Sequence, residues 1–402
     1  MSSSELQYIV ELSGQRLLPV SNLDDHTPIS ERLQRLRDQA HAWFKFNAYS
    51  FQTVISPAFR FPESKYVSGE YLYLWNHSSD LVTISPIPSK LSQQDNRARL
   101  AAKRDVLMDP AQNLFVIVYD VNNTTNIYLA TLDDGRVHPH AAGPALVLGL
   151  PEYLPGYSTR AKLKCYGRHI ALRRRYSYIN IAGTSTVQWQ LQIWDWQHST
   201  TSSSILCGIL YEPFFDEAGF NFLGNDRLLV ASDDLKLYSF EDMSKTPQLL
   251  ACFLLPFPML DILFISSVEH SYSSQPQTQA QYTEDPEHRL LCLRSVTDKR
   301  MIFFISTKIF FDVDETTAIT PIPWNDWGPA HVRVLKHKNH AFNVHVRGNR
   351  VLLVSRMMLE AHEYELRMMD FSPLAVANRR GLGRVVKERT TIVQSGPDSE
   401  WH

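Results

Sequence analysis

Six times between residues 69 and 370 the chain repeats a two-strand phrase, and this repetition limits the folds open to it. The clearest copy runs from Gly224 to Phe240. A Gly224-Asn225 turn leads into the apolar run Leu228-Leu229-Val230-Ala231. An Asp233-Asp234 turn follows, and Leu235, Leu237 and Ser239 then alternate on one face. Short strands joined by Asx residues make antiparallel hairpins. The other copies begin at Gly69, Asn113, Gly167, Glu287 and Gly348, so successive starts lie 44 to 63 residues apart. Five of the six second strands end with an apolar residue and then an acid: Leu132-Asp133, Trp194-Asp195, Phe240-Glu241, Phe311-Asp312 and Met369-Asp370.

A four-stranded propeller blade needs about 40–50 residues plus loops, which fits this period. One thin sheet cannot bury both its faces, whereas sheets stacked around an axis can, and the stacking also hides most strand edges. The expected fold class is all-β with short N-terminal helices, a six- or seven-bladed β-propeller-like ring. Gln190-Leu191-Gln192-Ile193-Trp194-Asp195 is similar to the ending of a WD repeat, but no Gly-His partner recurs, so the resemblance is WD40-like in geometry only. Leu146-Val147-Leu148, Arg384-Val385-Val386 and Thr391-Ile392-Val393 are candidate outer or closing strands. A pair of β-sandwiches is the rival architecture. The division expected is a helical segment over 1–50, a propeller-like domain over 51–393 and a flexible tail over 394–402. The polar stretch Ser266 to Pro286, with only Val268, Tyr272 and Tyr282 to bury, is expected to be a mobile loop. Arg97 to Arg104 is expected to be a solvated connector between the first two units.

Composition narrows the function classes. A hydrophobic content of 44% can bury a large core, and a net charge of −2 supplies no global field for nucleic acid or anionic lipid. Cys165, Cys207, Cys252 and Cys292 lie far apart with no CxxC pair, and are expected to be reduced core thiols. No secretory signal pattern opens the sequence and no apolar stretch approaches ~20 residues, so a cytoplasmic or nuclear location is expected.

Motifs for bond-breaking chemistry are sparse. The sequence holds no Gly-x-Ser-x-Gly and no Gly-rich phosphate loop. Asp133-Asp134 and Asp233-Asp234 occupy hairpin turns, where Asx residues serve backbone geometry. His138-Pro139-His140 and the set His337, His340, His345 have no nearby cysteine and no HExxH spacing. No catalytic residue, metal or cofactor is therefore expected, and the chain is expected not to be an enzyme. Arg173-Arg174-Arg175 and the basic residues Arg379, Arg380, Arg384, Lys387 and Arg389 lack any accompanying nucleic-acid-binding motif. Pro323 to Pro329 contains Trp324 and Trp327. These two form the candidate partner-binding loop, as an exposed aromatic anchor; the competing reading is a plug between blades.

The N-terminus reads as two helices. Residues 5–18 place Leu6, Ile9, Val10 and Leu17 on one broad face. Thr27 is the expected N-cap of a second helix with Pro28 at its first position, and Ile29, Leu33, Leu36, Ala40 and Trp43 form its apolar stripe. The pattern Leu6-Gln7-Tyr8-x-x-Glu11-Leu12, a Pro/Asp-containing loop, then Ser30-Glu31-Arg32-Leu33-x-x-Leu36 and Trp43 resembles fungal, chiefly basidiomycete, F-box proteins, in the stretch just after the F-box. That resemblance covers about forty residues. It implies a β-rich substrate-receptor body in an SCF ubiquitin-ligase context, with an unknown protein substrate as partner. The F-box that precedes this phrase in the family has no counterpart between Met1 and Glu5, so a Skp1-type adaptor is an expected partner only where an upstream F-box exists. A stand-alone propeller scaffold is the alternative reading, and a propeller-type hydrolase a further one. No small-molecule, nucleic-acid or membrane partner is expected.

Overall fold

The computed structural model describes residues 3–19, 27–44, 64–68, 71–76, 81–86, 96–99, 103–109, 112–121, 124–149, 157–179, 185–210, 219–232, 234–256, 262–265, 282–295, 301–313, 320–336, 342–356, 363–373 and 389–391. Helix α1 (Ser3–Gln15), a short strand β1 (Leu17–Pro19) and helix α2 (Ile29–Phe44) come first. Six four-stranded antiparallel sheets follow in chain order among the described residues. Sheet 1 is β2 (Ser64–Ser68), β3 (Tyr71–Asn76), β4 (Leu81–Pro86) and β5 (Asn96–Arg99). Sheet 2 is β6 (Lys103–Asp109), β7 (Leu114–Val121), β8 (Thr124–Thr131) and β9 (Ala145–Leu146). Sheet 3 is β10 (Tyr157–Tyr166), β11 (His169–Ile179), β12 (Ser185–Asp195) and β13 (Ile205–Leu210). Sheet 4 is β14 (Gly219–Phe222), β15 (Arg227–Ala231), β16 (Leu235–Ser239) and β17 (Gln248–Phe253). Sheet 5 joins β18 (Ile262–Ile265) to β20 (Leu290–Ser295), β21 (Met301–Ser306) and β22 (Val332–Lys336). A ribbon strand β19 (Tyr282–Glu284) lies in the β18–β20 connection, and helix α3 (Trp324–His331) precedes β22. Sheet 6 is β23 (Phe342–Arg347), β24 (Arg350–Arg356), β25 (Glu363–Asp370) and β26 (Arg389–Thr391).

Each repeated phrase supplies the second and third strands of one sheet. In the copy that begins at Gly224, Leu229 pairs with Leu237 and Ala231 with Leu235. The turn before the second strand carries a left-handed residue in four sheets: Asn113 (φ 54°), Gly167 (55°), Gly224 (117°) and Gly348 (55°). Glycine and asparagine are the residues that tolerate this conformation best, which explains their recurrence there. One backbone bond then recurs at the end of the third strand. Leu132 N–H donates to Asn113 O (3.0 Å), Trp196 to Arg168 O (3.1 Å), Phe240 to Asp226 O (2.8 Å), Thr307 to Arg289 O (2.9 Å) and Phe371 to Asn349 O (2.8 Å).

The apolar runs fail to alternate because the strands are covered on both faces. Leu228 and Val230 pack with Ala171, Leu191 and Ile193 of sheet 3, while Leu229 and Ala231 pack with Leu293 and Phe303 of sheet 5. Sheets 2 and 3 share a seam of Leu107, Val116, Leu129, Leu163, Leu172 and Trp194, and sheets 5 and 6 one of Cys292, Ile302, Phe304, Val344, Val351 and Leu353. Each large side chain so buried contributes about 1.5–3 kcal/mol. The first strands lie side by side: β6 against β10, β10 against β14, β14 against β18. The arrangement is mostly β and propeller-like. Among the described residues sheets 3, 4 and 5 each pack against a sheet on both faces, which a pair of two-layer β-sandwiches does not do.

Several expectations need correction. Residues Asn96–Arg99 are not a connector but the edge strand of sheet 1, paired with β4. Helix α1 ends at Gln15 rather than residue 18, because Arg16 turns left-handed (φ 57°) and Leu17–Pro19 pairs with Tyr282–Glu284. The end of the polar insert is therefore an ordered ribbon, with Tyr282 packed on the helices. Helix α2 begins at Ile29, and Pro28, not Thr27, accepts its first backbone bonds, from Glu31 and Arg32. Val268, Tyr272 and residues 394–402 lie outside the described residues.

Candidate interaction surface

The two tryptophans singled out from the sequence are not a loop. They open helix α3, which Pro323 precedes and in which Asp326 occupies the first turn, where a negative charge complements the helix dipole. Trp327 is 1% exposed, and its indole N–H donates to Leu254 O at 3.0 Å. Its ring stands edge-on to Phe253 (5.4 Å) and to Trp324 (4.9 Å), and Trp324 meets Phe303 at 6.2 Å. Both belong to the seam between sheets 4 and 5, with Trp324 half-buried. Gly328 lies directly under the Trp324 indole, where a Cβ would clash. In the folded chain Trp327 has no surface to offer a partner, so the exposed-anchor reading fails for Trp327, while Trp324 is half-buried. The inter-sheet plug is what the geometry provides.

The basic run is also internal. Arg173 and Arg174 lie within β11 and are 3% and 9% exposed. Arg174 Nη2 donates to Gln190 Oε1 at 2.7 Å, and its guanidinium sits 5.3 Å over the Tyr176 ring. Arg379, Arg380, Arg384 and Lys387 lie outside the described residues.

His138 is buried against Trp196, ring centroids 4.9 Å apart. Its Nε2 is 2.9 Å from Gln112 O, and the His140 N–H reaches its Nδ1 at 3.2 Å. Those partners fit the tautomer protonated at Nε2 and occupy both ring nitrogens, as expected of a packed histidine. His337 and His340 lie outside the described residues, and among the described residues no group of three His, Cys, Asp or Glu side chains converges as a metal site.

The recurrent acids have structural duties. Asp133 accepts from Asn113 Nδ2 (2.8 Å), Asp370 accepts from Arg350 Nε (3.2 Å), and Asp195 forms an ion pair with Arg168 Nε (3.2 Å). In each case the acid that ends the third strand holds the turn that starts the second. Asp195 also faces His198 Nδ1 at 2.8 Å, but the neighbouring Ser199 hydroxyl donates to Thr201 O, so no Ser–His relay forms at this turn. Asp134 is held by the Thr131 hydroxyl and then by the Arg136 N–H, and both keep its carboxyl below the usual range.

Cys165 and Cys292 are buried, Cys252 is half-buried and Cys207 is exposed, so the core reading fails for Cys207. Burial raises the pKa of all four thiols and most strongly affects Cys165 and Cys292. A group that sequence reading passed over is His169. It is 3% exposed, stands edge-on to Phe240 at 5.1 Å, and is held below its usual pKa by burial against the opposing pull of Asp195 and Asp226.

No family model matches the chain, and no curated protein matches it. Similar solved structures include the uncharacterized protein lmo1340 from Listeria monocytogenes EGD-e, at 10% identity and a TM-score of 0.40, over 82% of this chain and 85% of that one. Hsv2 from Kluyveromyces lactis matches at 10% identity and 0.40, over 81% and 86%, and AztD from Citrobacter koseri at 11% and 0.34, over 78% and 70%.

Proposed function

We propose that this chain is a non-enzymatic protein-interaction scaffold built on a closed six-bladed propeller. The supporting observation is the stacking of consecutive four-stranded sheets through shared apolar seams, with the first strands side by side. A rigid stack of this kind presents many loops at its ends, where a protein partner is gripped over a broad area. The test is cross-linking of the purified full chain in extract, followed by mapping of the linked peptides. Partner cross-links concentrated on the loops at one end of the sheets support the scaffold. Efficient turnover of a glycoside or lactone by the purified chain contradicts it.

The substrate-receptor reading is the finer form suggested by the N-terminal resemblance. Tyr8, Leu12, Leu33 and Leu36, all in that phrase, make the seam between α1 and α2. Packing therefore gives these residues a reason to be there without any ligase, and the stand-alone scaffold is the reading we favour. Co-purification with a Skp1-type adaptor by a form extended upstream through an F-box, and not by this chain, would reverse that preference.

A further inference from the structure

Three segments far apart in sequence meet beside α1. Gln15 Oε1 accepts from Arg350 Nη2 at 3.0 Å, and Arg350 Nε also holds the buried carboxylate of Asp370 at 3.2 Å. The Arg16 carbonyl accepts from the Asp285 N–H at 3.2 Å, and β1 then pairs with β19 through Leu17–Glu284, Leu18–Thr283 and Pro19–Tyr282. Asp285 caps the 3₁₀ turn Pro286–His288, accepting from Glu287 N–H (3.0 Å) and facing His288 Nδ1 (2.7 Å). From that turn, His288 O accepts from Asn349 Nδ2 at 2.8 Å, and Leu290 N–H donates to Gly348 O at 3.1 Å. The end of α1 thus bonds to the lead-in of sheet 5 and to the first turn of sheet 6, and those two bond to each other.

We propose that the N-terminal segment is a strap that couples sheets 5 and 6, so that its release loosens the joint between them. The coupling runs through a closed circuit: Gln15 to Arg350, its chain neighbour Asn349 to His288, and Asp285 of the same turn back to Arg16. Apolar packing secures the strap, since Leu17 and Tyr282 lie against the α1–α2 seam. Such a device lets anything that lifts α1 act on a joint between sheets, and this goes beyond the scaffold reading. It holds whether or not the chain binds proteins.

The test is hydrogen exchange on the full chain, with circular dichroism to confirm that each variant is folded. Gln15→Leu keeps the apolar contact and removes the acceptor, leaving the Arg350–Asp370 pair in place. Exchange is expected to quicken about tenfold over 282–290 and at Leu290 and Phe371, the factor that corresponds to ~1.4 kcal/mol and the low end for a hydrogen bond to a charged group. Asn349→Ala cuts the circuit from the other side, and because coupling is reciprocal it is expected to quicken exchange over 3–19. Acceleration confined to residues 3–19 in the first variant, or to 342–356 in the second, overturns the proposal.

Discussion

Replacing Trp327 by alanine asks whether the tryptophan helix is a plug or a binding anchor. The side chain is 1% exposed and ringed by Phe253 and Trp324, so its removal leaves a cavity between sheets 4 and 5. Truncating a buried Trp costs about 3–5 kcal/mol, and the loss of its bond to Leu254 O adds about 1 kcal/mol. For 402 residues unfolding as one unit, the entropy of unfolding is about 0.8 kcal/mol/K, so Tm should fall by roughly 5–7 °C. Trp327→Phe keeps most of the ring and loses the hydrogen bond, so it should cost less than half as much. Trp324→Ala should fall between the two, because that ring is half-buried. Differential scanning calorimetry on the three variants and the parent checks the order. A Trp327→Ala protein that melts within about 1 °C of the parent refutes the plug, whatever it does to partner recovery.

Other expectations follow from the same packing. Gly208 sits opposite Trp189, and a Cβ there would lie 2.6 Å from the indole, so Gly208→Ala should destabilise by about 1–3 kcal/mol in urea denaturation; an unchanged midpoint contradicts the close approach. His169 has a folded pKa below its ordinary 6.5, so the unfolded chain binds the proton more readily, and stability should fall as pH drops below about 6.5 towards the folded value. In His169→Phe that part of the slope should vanish from Tm measured between pH 5 and pH 7, and a slope equal to the parent's removes His169 from the explanation.

The central hairpins of sheets 2, 3, 4 and 6 were legible because two independent signals coincide there. Left-handed turn positions call for Gly or Asn, as at Gly167, Gly224 and Gly348, and burial on both faces writes continuous runs such as Leu228 to Ala231. Outer strands carry neither signal. β5 is Asn-Arg-Ala-Arg, and a charged edge of this kind discourages pairing with other chains while reading in sequence as a solvated connector. The β1–β19 ribbon is three residues on each side, too short for periodicity, although Asp285-Pro286 was a visible turn signal. Trp324 and Trp327 were found, but aromatic residues between two prolines look the same in sequence whether they project into water or between sheets. Only the neighbours Phe253, Leu254 and Phe303, distant in the chain, decide it.

Closure of the ring is tested most directly by spin-label distances between equivalent strand ends. Asn76 ends β3 in sheet 1, Ser295 ends β20 in sheet 5 and Arg356 ends β24 in sheet 6, and all three are second strands of their sheets. In a closed ring of six, sheet 6 has sheets 5 and 1 as its two neighbours. Labels at 76 and 356 should therefore give a mean distance matching that between 295 and 356, with a similarly narrow spread. A 76–356 distance well beyond the 295–356 reference means that the sheets form an open arc, and the closed propeller is then wrong.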